Sequence, residues 1–198
     1  SRIEAIRAVY LQNVVPMTRV RANDYGLIGR ALDSGILGVI VPMVNSAEEA
    51  KAAAYAMRYA PRGGRSTADN LAAQFGSDYG AWANDEVFLA VQIETAEAVA
   101  NAEAIMAVDG VDACLLGPAD LALSMGTVQG TPEHTAAVLQ VLEACRRTGK
   151  IPGIFAGTSA LARRWIEAGY LFVTVGADAR LLETAVRQTL QEVGVPAG

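Results

Sequence analysis

Three charged residues close apolar runs of strand length: Arg19 ends VVPMTR, Glu94 ends VFLAVQIE and Asp120 ends ACLLGPAD. In parallel α/β domains chemistry collects at the C-terminal ends of strands, so these positions are better site candidates than charges on helices. A carboxylate ending a buried strand costs roughly several kcal/mol unless it is paired or bound to a cation. Two such groups from neighbouring strands also repel each other. A hard divalent cation removes both costs, and an all-oxygen donor set points to Mg²⁺ or Mn²⁺ rather than zinc. Arg19 would then face an anionic substrate oxygen. The other reading of Glu94 and Asp120, as caps of the helices that follow, stays open at this level. Gly117-Pro118 turns the backbone out of its strand, so that the N–H groups of Ala119 and Asp120 can point at a carboxylate.

The remaining polar groups are read more plainly. His134, the single histidine, lies in a polar helical first turn and reads as a solvated surface residue. Histidine-based triads and zinc sites have no support. Asp178 reads as an N-cap, and Arg62-Gly63-Gly64-Arg65 as a flexible loop in preference to an anion cradle.

These residues need strands to carry them. Runs at Val14–Val20, Gly38–Val44, Val87–Glu94, Ala113–Leu116, Ile151–Ala156 and Phe172–Asp178 are apolar on both faces, as parallel strands covered by helices must be. Helical segments intervene at Ser46–Arg58, Thr95–Val108, Pro132–Thr148, Ser159–Ala168 and Ala179–Val193, and Ser1–Leu11 precedes the first strand. Ser46 with Glu49 forms a capping box. No G-x-G-x-x-G or P-loop follows any strand, which disfavours a dinucleotide-binding sheet. The expectation is one domain over residues 1–198, a TIM (β/α)8 barrel that at six repeats is about two βα units short at its N-terminus, since whole barrels run to about 250 residues.

Composition agrees with one compact globular domain. Of 198 residues 52% are hydrophobic and 19% charged, enough to bury a core, and the net charge of -5 speaks against nucleic acid as a partner. The longest apolar run, Gly35 to Val44, is too short to span a bilayer. Cys114 and Cys145 lie in apolar periodic segments and read as reduced core thiols of a cytoplasmic protein.

The same residues carry a family likeness. Gln92-Ile93-Glu94-Thr95, followed by Gly117-Pro118-Ala119-Asp120-Leu121 and Ser124-Met125-Gly126, resembles the HpcH/HpaI family of class II pyruvate aldolases, relatives of macrophomate synthase and the citrate lyase β-subunit. Val15-Pro16-Met17-Thr18-Arg19-Val20, Ala31-Leu32-Asp33-Ser34-Gly35, Val41-Pro42-Met43-Val44, Arg58 to Arg65 and Val175-Gly176-Ala177-Asp178 match as well, so the likeness runs the whole length. It implies a lyase that reversibly cleaves 4-hydroxy-2-oxo acids to pyruvate, or a related 2-oxo acid, and an aldehyde. Glu94 and Asp120 would ligate a divalent metal (Mg²⁺ or Mn²⁺, with Co²⁺ a third candidate), and Arg19 would stabilise the enolate. Gly117 and Pro118 would shape a turn whose Ala119 and Asp120 N–H groups bind the substrate carboxylate, and Gln92 would sit beside the metal. Asp33 would be a catalytic residue acting across a subunit boundary, in a hexamer built as a trimer of dimers with helix 179–193 exchanged.

The chain departs from the family in places. The family's catalytic base is a histidine in an acidic-x-His-Gly segment after the second strand, with no counterpart here; it falls where the repeat count is short, so the expectation is a chain without the barrel's N-terminal quarter. Ala122 stands where Ser is common, and Ala60 and Ser66 where Pro and Gly are usual. The loop Ser66–Asn84 resembles nothing assignable. Two other readings share the carboxylates: a CoA-thioester lyase of the citrate or malyl type, and a non-catalytic truncated barrel.

Overall fold

A computed structural model describes residues 2–67 and 74–194. Its elements alternate almost throughout: α1 (Arg2–Tyr10), β1 (Met17–Arg19), α2 (Tyr25–Asp33), β2 (Gly38–Val41), α3 (Ala47–Met57), α4 (Tyr79–Glu86), β3 (Phe88–Val91), α5 (Ala96–Ala100), α6 (Ala102–Met106), β4 (Ala113–Cys114), α7 (Pro118–Ser124), α8 (Pro132–Thr148), β5 (Gly153–Ala156), α9 (Ser159–Ala168), β6 (Phe172–Val175) and α10 (Asp178–Glu192). The six expected strands all occur, in order and all parallel, each shorter than its apolar run. Their ends leave the ladder because chain leaving a parallel strand must turn into the next crossover helix.

β1 to β4 form one sheet in sequential order and β5 pairs with β6 in a second. Parallel bridges Ala113↔Ile151 and Leu116↔Ile154 join the two. Sequential order with a helix between neighbours is the arrangement of βα-repeat barrels. Among the described residues β1 is paired with β2 alone and β6 with β5 alone. No helix among them is long and apolar enough to cross a membrane.

The core lies between strands and helices: Val39, Val41, Leu89, Val91 and Ile93 from the sheet meet Ile28 and Leu32 of α2, Met57 of α3, and Val138, Val141 and Leu142 of α8. Leucines and valines at helical spacing put one face of each helix on the sheet. Cys114 and Cys145 are buried free thiols with sulfurs 3.5 Å apart, as read from their apolar settings.

Local chemistry sets the helix starts. Ser46 Oγ accepts from Glu49 N–H, while the Glu49 carboxylate accepts from Asn45 N–H, one residue before the cap. Thr95, Thr131 and Thr158 cap α5, α8 and α9 in the same way. The helix expected over Thr95–Val108 is broken into α5 and α6 at Asn101, whose amide donates to Asn45 O at 2.9 Å. Asp178 is the first residue of α10 rather than its cap, and Ala177 holds the cap position. The Ser66–Asn84 loop contains much of α4; residues 68–73 lie outside the described part.

Arg62-Gly63-Gly64-Arg65 is neither a flexible loop nor an anion cradle. Its four N–H groups are spent on the carbonyls of Tyr59, Tyr55 and Arg58. Gly63 packs so closely on Tyr55 and Arg58 that a Cβ would strike both carbonyl oxygens. The Arg65 guanidinium is buried 4.6 Å above the Tyr59 ring and donates to the Tyr79 hydroxyl at 2.9 Å.

Gly153 marks the seam between the two sheets, where a Cβ would strike the Cys114 carbonyl oxygen and lie 2.8 Å from Phe172 Cδ1. Gly153→Ala should cost about 1–3 kcal/mol, through overpacking, and lower the melting temperature by roughly 2–4 °C per kcal/mol. Gly157→Ala, where a Cβ meets open space, should leave it unchanged. Thermal melts of the two variants check this, and equal melting temperatures would refute the tight seam.

Candidate active site

Glu94 ends the extended chain after β3 and is 4% exposed. It does not cap the next helix, since Thr95 does that. Its Oε1 accepts from Met43 N–H at 2.9 Å, across the sheet at the end of β2. Met43 holds a left-handed φ of 56°, an uncommon conformation for a residue with a flexible side chain, and it lets the N–H turn inward to the carboxylate. Glu94 Oε2 accepts from Gln92 Nε2 at 3.1 Å. The other end of that amide, Gln92 Oε1, is a buried acceptor without a partner among the described residues.

The Asp120 carboxyl stands close enough to Glu94 for a hydrogen bond, and Arg19 is near enough for its charge to act on Glu94. Asp120 lies in the first turn of α7, three residues past Gly117, so its helical position is real, but its side chain meets Glu94. Gly117 permits the approach: a Cβ there would come within 2.7 Å of Glu94 Oε2. Pro118 is buried at the head of α7 and has no N–H, leaving those of Ala119 and Asp120 as the helix's free donors.

Burial, first, pushes the Glu94 carboxyl above the ordinary carboxylate range; the Met43 N–H opposes this, the Asp120 charge adds to it and Arg19 works against it. A buried carboxyl with a second, exposed carboxyl beside it suits a cation that would offset both charges. Among the described residues no three of His, Cys, Asp and Glu come together. Two carboxylates nevertheless fit Mg²⁺ or Mn²⁺, which take one or two such ligands and complete their shell with water and substrate oxygens. The orphaned Gln92 carbonyl is a further hard oxygen at the same place.

Asp33 is not among this group. It ends α2 before β2 begins, at the opposite end of the strands, and its Oδ1 accepts from Arg65 Nη2 at 3.0 Å.

His134 is the residue that the sequence misplaces. It is 1% exposed, not solvated. Gly130 N–H donates to Nδ1 at 3.3 Å, so the proton sits on Nε2, which donates to Pro118 O at 2.8 Å. The imidazole ties the start of α8 to the turn that presents Asp120. Its position two residues after Pro132, just inside the helix, was the available signal: i+4 spacing to Val138 puts it on the buried face.

The HpcH/HpaI aldolase/citrate lyase family model matches residues 2–185. A hydroxypyruvate/pyruvate aldolase of Cupriavidus necator is 41% identical over 194 residues, covering 95% of this chain and 72% of that protein. A 4-hydroxy-2-oxo-heptane-1,7-dioate aldolase of Escherichia coli is 41% identical over 92% of this chain and 72% of its own length. A solved HpcH/HpaI aldolase/citrate lyase family protein from Burkholderia cenocepacia superposes with a TM-score of 0.92 at 39% identity, covering 96% of this chain and 79% of that one.

Two outcomes follow. A raised Glu94 pKa means that the folded protein holds this proton to higher pH than a free carboxyl does, and a cation must displace it. Mn²⁺ affinity measured by calorimetry should therefore rise with pH through and just above the ordinary carboxylate range, with Glu94→Gln binding far more weakly; a flat profile would refute the arrangement. His134→Leu, which strands Pro118 O and Gly130 N–H, should lose about 1–3 kcal/mol in a denaturant melt, with His134→Gln intermediate.

Proposed function

Because this chain belongs to the HpcH/HpaI aldolase/citrate lyase family, and is thereby a carbon–carbon lyase, we propose that it is a class II aldolase. It reversibly cleaves a 4-hydroxy-2-oxo acid into pyruvate, or a related 2-oxo acid, and an aldehyde. The observation that carries the reading is the buried Glu94 carboxylate, fixed by Met43 N–H, with Asp120 beside it and Arg19 in electrostatic reach.

In cleavage the C3–C4 bond breaks, its electron pair stays on C3, which then takes up a proton to give the methyl group of pyruvate, and the 4-hydroxyl gives up its proton as the aldehyde forms. In the reverse direction C3 of pyruvate loses a proton and attacks the aldehyde carbon. Both directions build negative charge on the 2-oxo oxygen. A divalent cation (Mg²⁺ or Mn²⁺, with Co²⁺ a third candidate), held by Glu94 and Asp120, would supply Lewis-acid stabilisation of that charge. Gln92 orients Glu94 through its amide N–H. Arg19 adds a guanidinium that needs no proton transfer to act on the oxyanion. The free N–H groups of Ala119 and Asp120 hold the substrate carboxylate, in a turn that Gly117 and Pro118 shape and His134 braces.

The reading includes a homo-oligomer, a hexamer of exchanged-helix dimers, in which Asp33 serves a neighbouring subunit's site. What supports it is α10: none of its residues is buried, and Leu181, Leu182 and Val186 expose an apolar face. Two buried free thiols are in keeping with a cytoplasmic protein.

Exchange of the pyruvate methyl protons in D₂O, followed by NMR, tests the shared half-reaction without a choice of aldehyde. Exchange should require Mg²⁺ or Mn²⁺, stop with chelator, and fall by about 10²-fold or more in Arg19→Ala. Absence of exchange from a folded sample that binds metal would overturn the proposal.

A further inference from the structure

Asn45 is half-buried just past the end of β2, and each of its polar groups has a partner. Its N–H donates to the Glu49 carboxylate at 2.6 Å, and its carbonyl oxygen accepts from Asn101 Nδ2 at 2.9 Å. Its side-chain Nδ2 donates to Met43 O at 3.3 Å, while its Oδ1 accepts from the Thr95 hydroxyl. The chemistry of the partners fixes which way the amide points. Met43 O can only accept, and Thr95 Oγ1, which already accepts from Ala98 N–H at 3.0 Å, has its proton left to give. The start of α3 does not need this side chain, because Ser46 Oγ provides the cap.

The two residues that this amide grips are the two that place Glu94. Thr95 is bonded to Glu94 along the chain, and Met43 N–H is the donor to Glu94 Oε1 at 2.9 Å. Met43 reaches the carboxylate by its left-handed φ of 56°, which sets the angle between the peptide planes on either side of its Cα. The plane that follows is pinned at both polar ends, by Val44 N–H on Gln92 O at 3.3 Å and by Asn45 Nδ2 on Met43 O. With that plane fixed, the preceding one directs its N–H at Glu94. A residue with a Cβ keeps such a conformation only where its surroundings over-determine it, and these two bonds do so here.

We infer that Asn45 is a positioning residue for Glu94: one planar amide holds the Met43 N–H and the Glu94 backbone in fixed relation, so that the carboxylate is presented to a divalent cation in a single orientation. This role rests on the aldolase reading above, in which Glu94 holds that cation. The hydrogen bonds of Asn45 go to Met43, Glu49, Thr95 and Asn101, so it acts on Glu94 through Met43 and Thr95. Without the amide, Met43 relaxes toward right-handed or extended backbone, its N–H leaves Glu94, and the carboxylate keeps the Gln92 amide alone as its donor.

Asn45→Ala in the full chain tests this by two measurements: amide hydrogen exchange at Met43, followed by NMR without metal, and Mn²⁺ affinity by calorimetry. Exchange at Met43 should become faster, and the Mn²⁺ dissociation constant should rise by about tenfold or more, as when partners that orient a metal ligand are removed. Ser46→Ala, which removes the α3 cap one residue away, controls for lost stability: it should lower the melting temperature yet leave Mn²⁺ affinity within about twofold and Met43 exchange unchanged. Met43→Val approaches from the other side and serves if Asn45→Ala does not fold. A β-branched residue resists a left-handed φ that glycine takes freely, so Met43→Val should bind Mn²⁺ more weakly than Met43→Gly. Unchanged Mn²⁺ affinity or Met43 exchange in Asn45→Ala, equal losses in Ser46→Ala, or Met43→Val binding as well as Met43→Gly would overturn the assignment. An unaltered protein that binds no Mn²⁺ would instead remove the metal-dependent reading of Glu94, and the assignment with it, whatever the exchange at Met43.

Discussion

The site depends on one constraint: an ionisable carboxyl, Glu94, is sealed at the end of a parallel strand, where water cannot solvate it. Its neighbours are arranged around that fact. Met43 gives up ordinary backbone geometry to donate an N–H, Gly117 gives up a side chain to leave room, and Gln92 orients an amide toward it at the expense of its own carbonyl. A second carboxyl nearby makes the ionised state costlier still. Keeping that carboxyl charged is costly, and acids perturbed in this way gather at working sites.

The turn at Gly117–Asp120 is held from two directions. From the sheet, Gly117 N–H donates to Ile93 O at 3.2 Å, linking the turn to the strand that carries Glu94. From the helical layer, His134 grips Pro118 O. Both anchors fix where the backbone of the Asp120 turn sits relative to Glu94. The Arg65 cluster, with Tyr59, Tyr79 and Asp33, performs a comparable structural task at the other end of the strands.

Much of this was legible in the residues. Six apolar runs gave six parallel strands, and the three charges closing them, Arg19, Glu94 and Asp120, converge as strand-end charges should. What was not legible concerned long-range partners. His134 looks polar and terminal in sequence, and only the packing of α8 against the Pro118 turn shows why an imidazole is buried there. Arg62 to Arg65 has the composition of a loose loop, yet its N–H groups find carbonyls three to nine residues back, which composition does not encode. Met43 could not be singled out either, because a positive φ at a non-glycine residue is set by tertiary contacts. Strand lengths were overread at β2, β3 and β4 because buried chain continues past the last ladder bond, and at β1 and β6 because apolar residues there lie in exposed chain.

The join between the four-stranded and two-stranded sheets, made by two parallel bridges and four backbone hydrogen bonds, divides the face into two parts. Arg19, Gln92 and Glu94 ride on the first sheet, while Phe155, Thr158 and Arg180 ride on the second, with the Asp120 turn at the border. Because Gly153 packs directly on the Cys114 carbonyl, a change in the seam itself is felt on both sides, whereas the helix-facing residues of the β5–β6 unit lie away from the acids.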